Sequence, residues 1–230
     1  MDELRVQGLA VSYSPAGHTA LVALHGAGNG TRDSHPLYRH LHETLPPLGV
    51  GVATFDRRGD GESEGRPTLG RFEAQVRDGL AVAAALETER FGLWGFSQGG
   101  WVAPLAATLS DDVAFVITIA ALGLTAADLL LHANRRQLEL AGDYEPKVIK
   151  QAAALRRRMP YDPRAVFAAV RVPILAFYGE LDSMTPAEPS VTAWPPHAMV
   201  VVVPDAGHGL HLSDGTLAPL YEHTLVDWLS

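Results

Sequence analysis

Two kinds of apolar pattern alternate along the chain. Short continuous runs rich in β-branched and aromatic residues predict buried strands, and the segments between them carry apolar residues at helical spacing. The runs are TALVALHG, VGVATFD, FGLWGF, VAFVITIAAL, PILAFYG and AMVVVVP, and the helical segments include SHPLYRHLHETL, RFEAQVRDGLAVAAALE, QGGWVAPLAATLS, PRAVFAAV and LAPLYEHTLVDWL. Strands that alternate with helices indicate a mostly parallel sheet covered by helices on both faces.

Two segments depart from this alternation. LRVQGLAVSYS contains two alternating stretches around Gly8, which predicts a hairpin ahead of the first buried strand. Between residues 125 and 159, two helical stretches follow each other without a strand between them. We expect this second segment to be an insertion above the edge of the sheet, within a single domain that spans residues 1–230.

Composition restricts the class of protein. The 230 residues, 47% apolar and 19% charged, suffice for one globular domain with a full hydrophobic core. No apolar run is long enough to cross a bilayer and MDELRVQG does not resemble a signal peptide, so we expect no membrane association and a cytoplasmic location. The lack of cysteine excludes disulfides, thiolate metal ligands and cysteine nucleophiles.

The net charge and its distribution bear on partners. A formal net charge of −8 argues against nucleic acid as a general partner. Seven of the 18 basic residues lie between Arg135 and Arg158. This basic stretch is either a solvated helix face or a means of drawing anionic substrates to a site, and the sequence leaves both open.

Four loops that follow predicted strands carry residues of chemical interest. They contain the segment HGAG, which begins at His25, and then Ser97, Asp182 and His208 in turn. Functional residues of parallel sheets gather beyond the carboxyl ends of the strands, so we expect these loops to meet. A serine hydroxyl needs a base to take its proton, histidine suits that role, and a carboxylate orients the histidine. Ser97, His208 and Asp182 are therefore the predicted catalytic residues.

The surroundings of Ser97 strengthen this prediction. The segment GFSQG matches the pattern G-x-S-x-G, in which the serine lies in a strained turn between a strand and a helix. The backbone N–H of Gln98, at the start of that helix, would point at an oxyanion that develops on the substrate. We expect the second donor to be the N–H of Ala27. Among other residues, Glu180 is a poor second choice for the acid because it precedes the turn apex, and His211 is expected to be structural.

The motifs and their order resemble those of the α/β-hydrolase fold superfamily over essentially the whole chain. They are the HG loop, DRRGDGES, GFSQG, GELDSMTP and DAGHG, and GFSQGG is similar to elbows of carboxylesterases and acyl thioesterases. The resemblance implies a sheet of about eight strands, a short helical cap at about 125–159, and the order nucleophile, acid, histidine. The chain departs from it at PAEPSVTAWPP, whose prolines permit only a short turn of helix before the last strand.

Cofactor and metal sites find little support. Gly26, Gly28 and Gly30 resemble the glycine-rich loop of dinucleotide-binding proteins. The pattern G-x-G-x-x-G needs its third glycine at position 31, however, where this chain has Thr31. HETLP lacks the second histidine of a zinc protease helix, and DRRGDGES is more typical of a turn braced by its own charges than of a calcium site. We therefore expect no cofactor and no metal.

The predicted function is that of a serine hydrolase that cleaves carboxylic esters of small to medium size through an acyl-enzyme on Ser97. A small-molecule ester is the expected partner. Two alternatives stay open. The same site can act on amide, lactone, thioester or carbon–carbon bonds, and the fold can serve as a non-enzymatic binder of a small ligand.

Overall fold

One sheet lies at the centre of the structure. The computed structural model describes residues 1–132, 146–158 and 161–230. Within these ranges, eight strands lie side by side in the order β1-β2-β4-β3-β5-β6-β7-β8. They are β1 (Asp2–Val6), β2 (Leu9–Ser14), β3 (Thr19–Leu24), β4 (Val50–Phe55), β5 (Arg90–Phe96), β6 (Val113–Ile119), β7 (Ile174–Gly179) and β8 (Met199–Val203). β2 runs antiparallel to both of its neighbours and the other pairs are parallel, which confirms the predicted mostly parallel sheet.

The first two strands form the predicted hairpin. β1 and β2 pair from Asp2 opposite Tyr13 to Val6 opposite Leu9, so only Gln7 and Gly8 form the loop. Both loop residues have positive φ, 49° and 81°. Positive φ at both positions gives a two-residue turn whose twist matches that of the strands.

Helices cover both faces of the sheet. They are α1 (Pro36–Thr44), α2 (Phe72–Ala85), α3 (Gly99–Leu109), α4 (126–132), α5 (Pro146–Arg158), α6 (Pro163–Ala169), α7 (Ala187–Val191) and α8 (Pro219–Leu229), with a short 3₁₀ turn at Pro46–Leu48. Alternate residues of β3 face opposite sides. Leu21 packs with α1 and α8, whereas Val22 and Leu24 pack with α2 and α3. Because successive side chains of a strand point to opposite faces of the sheet, β3 packs against helices on both faces.

The predicted cap falls partly outside the described residues, because 133–145 and 159–160 are not among them. Its described parts are helical and connected. The carboxylate of Asp128 in α4 accepts a hydrogen bond from the guanidinium of Arg156 in α5 at 2.8 Å. It also lies 3.3 Å from the guanidinium of Arg164 in α6. The extent of the cap, and with it the single-domain organisation, stays a prediction.

Two smaller expectations can be compared directly with the structure. PAEPSVTAWPP contains only the five-residue helix α7, as its prolines predicted. Among the described helices, none is long and apolar enough to cross a membrane. Since β3 and β5 to β8 run in one direction, their carboxyl ends lie along the same edge of the sheet, and the loops that carry Ser97, Asp182 and His208 begin there.

Candidate active site

Ser97 occupies a strained corner between β5 and α3. Its φ is +51°, a left-handed conformation that a residue with a β-carbon rarely adopts. The corner is held on both sides, since the Ser97 N–H donates to the carbonyl of Ile119 at 2.8 Å and the Ser97 carbonyl accepts from the Gly100 N–H at 2.9 Å. The half-buried serine is thus fixed at the point where the strand turns into the helix.

Two glycines make this corner possible. A β-carbon on Gly95 would clash with the carbonyl group of Gly99, and one on Gly99 would clash with the carbonyl of Leu24 at the end of β3. Side chains are therefore excluded on both sides of Ser97 by backbone, which cannot move aside as a flexible side chain could. This is the physical reason for the GFSQG pattern.

His208 and Asp182 are in direct contact. The Nδ1 atom of His208 lies 2.7 Å from Oδ2 of Asp182, whose side chain is completely buried. The other carboxylate oxygen, Oδ1, accepts the N–H groups of Met184 at 2.8 Å and Thr185 at 2.9 Å. The carboxylate is held from both ends, so it fixes which nitrogen of the imidazole carries a proton.

The loops after β7 and β8 are tied together at their bases. The Glu180 N–H donates to the carbonyl of Val203 at 3.0 Å, and the Leu181 N–H donates to the carbonyl of Ala206 at 2.9 Å. Glu180, the weaker sequence candidate for the acid, instead accepts the N–H of Asp205 on its carboxylate at 3.2 Å. Its side chain therefore supports the loop rather than contacting His208.

His208 also lies beside the serine corner. Its ring centroid is 5.1 Å from that of Phe96, the residue immediately before Ser97. Because Nδ1 is engaged by Asp182, Nε2 lies on the opposite side of the ring. The structure thus brings together the loops of all three predicted catalytic residues, and among the described residues no protein group forms a hydrogen bond with Nε2 of His208.

His211 has a different environment from His208. Its carbonyl accepts the Gly207 N–H at 3.0 Å, and it forms an isolated β-bridge with Leu217. These backbone contacts fix the loop that carries His208. In the described part of the chain, no group of three or more histidine, aspartate or glutamate side chains could hold a metal ion.

The two residues predicted as oxyanion donors lie in loops that follow β3 and β5. Gln98 has helical dihedral angles and directly precedes α3, and Ala27 lies on the exposed loop that follows β3. Among the described residues, neither N–H group donates to a protein acceptor. Two free N–H groups, one of them at a helix N-terminus, are what an oxyanion requires.

His25 anchors the start of the loop that contains Ala27. Its Nε2 donates to the carbonyl of Phe55, which can only accept, so Nδ1 accepts from the Tyr38 hydroxyl at 2.9 Å. Burial lowers the pKa of His25 to about 4. The ring is therefore neutral at physiological pH and acts as a structural brace between β3, β4 and α1.

Arg57 anchors the same loop further along. Its buried guanidinium donates to the carbonyl of Gly26 at 3.1 Å and to the carbonyl of Gly28, and it pairs with Asp60. DRRGDGES is similar to the pattern D-x-R-G-x-G-x-S, in which Arg57 occupies a position that can be any residue. The pattern therefore gave no sign of this contact. Arg58, at the motif's arginine position, binds Asp78 of α2 instead.

The carboxylate of Asp56 holds the DRRGDGES turn together. It accepts the N–H of Arg32 at 2.8 Å, the guanidinium of Arg32 at 2.6 Å and the N–H of Glu62 at 2.7 Å. Its oxygens are thus occupied by donors of the protein. Within DRRGDGES the charges of Arg57 and Asp60 pair as predicted, whereas Asp56 is paired with Arg32 from outside the segment.

His35 lies next to the site and was not singled out by the sequence. Its ring centroid is 4.3 Å from that of Phe96, and its Nδ1 accepts the Leu37 N–H at 3.3 Å as the N-cap of α1. Burial, followed by the nearness of His211 and His208, lowers the pKa of His35 to about 4. His35 is therefore uncharged at neutral pH and lines one side of the site. In the sequence, the only indication of this residue was a histidine directly before Pro36, at the start of a predicted helix.

A cleft of about 1110 Å³ that is lined in part by His35 lies between β2, β4 and the start of α1. Its lining includes Arg32 and His42 but not Ser97 or His208. Arg32 is paired with Asp56, and His42 contacts the hydroxyls of Ser14 and Thr54. Arg32 and His42 are thus engaged with other side chains that line the cleft.

Comparisons with known proteins agree with this architecture. Residues 21–219 match the sequence model of the alpha/beta hydrolase family. A search of curated protein sequences finds no match to this chain.

Three similar solved structures cover almost the whole chain. Est1E from Butyrivibrio proteoclasticus, with ferulic acid bound, is 20% identical over 100% of this chain and 98% of that one, with a TM-score of 0.71. An esterase from Pyrococcus furiosus is 17% identical over 99% and 88%, with a TM-score of 0.74. The proline iminopeptidase of Mycobacterium smegmatis is 16% identical over 99% and 97%, with a TM-score of 0.73.

At these identities the likeness concerns the fold, whereas the family match concerns the sequence itself. The matched segment extends from within β3 to the start of α8 and so includes the loops after β3, β5, β7 and β8. The chain belongs to the alpha/beta hydrolase family.

Proposed function

We propose that the protein is a serine hydrolase that cleaves carboxylic esters of small to medium size. The observation that carries the proposal is the 2.7 Å contact between His208 and the buried Asp182, next to a serine held at a φ of +51°. A serine in an ordinary surface turn needs neither a strained corner nor a histidine with a buried carboxylate partner. Strain at a single residue and a buried carboxylate both cost free energy, which favours a functional reason for them.

The first half of the proposed reaction acylates Ser97. The Ser97 hydroxyl oxygen attacks the ester carbonyl while its proton passes to Nε2 of His208. Asp182 stabilises the imidazolium that forms, and the N–H groups of Ala27 and Gln98 bind the tetrahedral oxyanion. The intermediate collapses as His208 returns its proton to the leaving alkoxide, so that an alcohol departs and an ester to Ser97 remains.

The second half releases the acid. A water molecule attacks the acyl-enzyme and gives its proton to Nε2 of His208. Collapse of the second tetrahedral intermediate breaks the bond to Ser97, whose oxygen takes the proton back from His208. The products are one alcohol and one carboxylic acid, and no metal or organic cofactor takes part in any step.

The similar structures bear on the choice of esters. Similar structures include proteins described as esterases from Pyrococcus furiosus and Exiguobacterium antarcticum. They also include a proline iminopeptidase and a bromoperoxidase, so the fold alone does not decide the bond that is cleaved. The small-to-medium size rests on the brevity of the predicted cap and on an aromatic content of 7%.

Labelling with a fluorophosphonate tests the activated nucleophile directly. We expect a single adduct on Ser97, located by peptide mass spectrometry, and its loss in His208→Ala. Ser110→Ala, which removes another half-buried serine, at the end of α3, is the matched control and should be labelled as the wild type is. A folded wild-type protein without an adduct on Ser97 would contradict the proposal.

A substrate panel then distinguishes the bonds. We expect p-nitrophenyl esters of short acids to be hydrolysed far faster than the p-nitroanilides of the same acids. Equal or faster anilide cleavage would favour amide hydrolysis. If no panel member is turned over but some raise the melting temperature, the binding alternative replaces the hydrolase.

A further inference from the structure

Hydrogen bonds between side chains link the serine corner to α2. Nε2 of Gln75, a buried residue of α2, donates to the carbonyl of Thr68 at 2.9 Å and to Oε1 of Gln98 at 3.3 Å. Gln98 directly follows Ser97, and its side chain starts from the same Cα atom as the N–H group proposed for the oxyanion. The proposed reaction uses only the backbone of Gln98, so the role of its half-buried side chain is open.

The carbonyl of Thr68 fixes how both amides are oriented. A carbonyl only accepts, so the amide atom of Gln75 that faces it must be the nitrogen. The same nitrogen faces Gln98, whose own atom at this contact must then be the oxygen. The NH₂ group of Gln98 is consequently turned away from Gln75, and no residue that the structure describes accepts a hydrogen bond from it.

Thr68 has a second unpaired group beside these amides. Its Oγ1 atom is buried and has no hydrogen-bond partner within the described part of the chain. This hydroxyl belongs to the residue whose carbonyl binds Gln75, so it lies next to the pair of amides. Buried polar groups are normally paired, so an unpaired hydroxyl beside an unpaired NH₂ group favours a polar group of a ligand at this place.

The pair of amides and His208 lie toward opposite faces of the sheet. His208 contacts Phe96, whose ring packs with α1 and α8. Gln75 belongs to α2, whose apolar residues pack on the other face. In the proposed reaction the leaving alcohol takes its proton from His208, so the alcohol points toward His208 and the acyl group toward α2.

We propose that the side-chain amide of Gln98 selects esters whose acyl group carries an ether or hydroxyl oxygen. The acyl oxygen accepts a hydrogen bond from Nε2 of Gln98, while Gln75 holds the other end of that amide. Gln98 is thus a specificity-determining residue through its side chain, and Gln75 is a positioning residue. This inference rests on the proposed ester hydrolysis and specifies the acyl class for it.

The surroundings of the amides favour a neutral and short acyl group. Amides and hydroxyls are uncharged, so an ionised acyl group would lose water here without gaining an opposite charge. The rings of Phe72, Trp101 and Tyr161 contact one another nearby, with centroids 4.8 to 5.5 Å apart. Phe72 precedes Gln75 by one helical turn and Trp101 follows Gln98 by one, so the rings fill the space next to the amides.

Pairs of p-nitrophenyl esters that differ at a single chain position test this selection. Methoxyacetate and butyrate form one pair, and 3-methoxypropanoate and pentanoate the other, with an oxygen in place of a methylene. For each protein we divide kcat/KM of the oxygen-bearing ester by kcat/KM of the alkyl ester. In at least one pair this ratio should fall about threefold to tenfold in Gln98→Met, as expected for one lost hydrogen bond.

Methionine is a suitable replacement for this glutamine. It has a similar length and keeps the backbone N–H, but its side chain cannot donate a hydrogen bond. Because ratios are compared between proteins, the different intrinsic reactivity of the esters cancels.

Gln7→Met is the matched control. Gln7 is exposed in the hairpin turn between β1 and β2, so the same substitution there should leave the ratio unchanged. Gln75→Met removes the donor to Gln98, while the carbonyl of Thr68 still accepts the N–H of Arg71. It should lower the ratio as Gln98→Met does, whereas a merely structural defect would lower kcat/KM for both esters alike. Circular dichroism shows whether each variant is folded.

The outcomes separate the failure of this inference from that of the hydrolase proposal. If the folded wild type hydrolyses no ester of either pair, the proposed ester hydrolysis is wrong and the selection by Gln98 falls with it. If the esters are hydrolysed but Gln98→Met has the wild-type ratio in both pairs, only the selection by Gln98 is wrong. An equal fall of the ratio in Gln7→Met would also overturn it, since the effect would then not come from the amide beside Ser97.

Discussion

Asp182 binds the Nδ1–H of His208 with one carboxylate oxygen and two backbone N–H groups with the other. An asparagine at this position cannot satisfy all three donors, since only one of its two terminal atoms is an acceptor. Facing the backbone, its oxygen would leave an NH₂ group against His208 and so select the wrong tautomer. Asp182→Asn should therefore lower kcat for an ester by about 10³ to 10⁴-fold.

Steady-state kinetics with a p-nitrophenyl ester measures this effect. The loss should lie in kcat with little change in KM, because in the proposed mechanism Asp182 acts on the base and not on the bound ground state. Glu180→Gln is the control and should retain kcat within about twofold. A variant Asp182→Asn with nearly normal kcat would mean that His208 does not depend on this carboxylate.

The contacts of Arg57 lead to a second prediction. A lysine at this position cannot bind the carbonyls of Gly26 and Gly28 together with Asp60, since it presents one nitrogen in place of the planar fork. The loop that positions the N–H of Ala27 would then lose its anchor. Arg57→Lys should lower kcat about tenfold to a hundredfold, with a smaller change in KM.

The neighbouring arginine supplies the control for this experiment. Arg58 binds Asp78 and the carbonyl of Gln7, and it does not touch the loop after β3. Arg58→Lys should thus affect the melting temperature more than kcat. If both variants lost kcat equally, the effect would be general destabilisation and the anchoring role of Arg57 would be wrong.

The backbone of Ser97 predicts an unusual order of stability. At a φ of +51° a β-carbon is strained, so Ser97→Gly relieves strain that Ser97→Ala retains. Glycine also increases the entropy of the unfolded chain, which offsets part of this gain. We expect the free energy of unfolding of Ser97→Gly to exceed that of Ser97→Ala by about 0.5 to 1 kcal/mol.

Ser110 provides a control with the opposite sign. It ends α3 with an extended backbone at a φ of −143°, where a β-carbon carries no strain. Ser110→Gly should accordingly be less stable than Ser110→Ala in the same urea denaturation experiment. Finding alanine favoured at Ser97 as well would show that the corner stores no appreciable strain.

The buried His25 predicts a loss of stability in acid. Its pKa is lowered from an ordinary value near 6.5 to about 4, chiefly by burial. Between these values the unfolded chain binds a proton that the folded chain does not, so the free energy of unfolding falls as the pH falls. Above pH ~6.5 the contribution is fully present, and about 3 kcal/mol is lost by pH ~4.

His25→Gln isolates this contribution from the titration of carboxylates. Glutamine retains a donor for the Phe55 carbonyl but does not titrate. The variant should be less stable than the wild type near neutral pH, with a difference that narrows as the pH falls toward about 4. A difference in unfolding free energy that stays constant over this range would contradict the prediction.

The sequence predicted much of the fold because its signals are local. The strands are short apolar runs, the helices between them carry apolar residues at helical spacing, and the hairpin turns at Gly8. The corner at Ser97 was also predictable, since its requirements fall on glycines two residues before and after it. The order of Ser97, Asp182 and His208 suggested which loops meet.

The supporting contacts could not be read in the same way. Arg57 and Gly26 are 31 residues apart, and which of two adjacent arginines reaches the loop depends on how the turn is oriented in space. His35 contacts Phe96, which is distant in sequence, because the start of α1 places the His35 ring beside the end of β5. Such contacts between distant segments leave no periodic signal. The roles of the arginines at 135 and 136 lie outside the described residues.

The order in which the site residues occur along the chain has a consequence for the protein while it is being synthesised. β3 lies between β4 and β5, and the loops after β3, β5, β7 and β8 carry the residues of the candidate site. Synthesis proceeds from the amino terminus, so Ser97 leaves the ribosome long before His208. Under the proposed mechanism, a chain still in synthesis would contain Ser97 but lack the histidine base, so hydrolysis would begin only after β8 had joined the sheet.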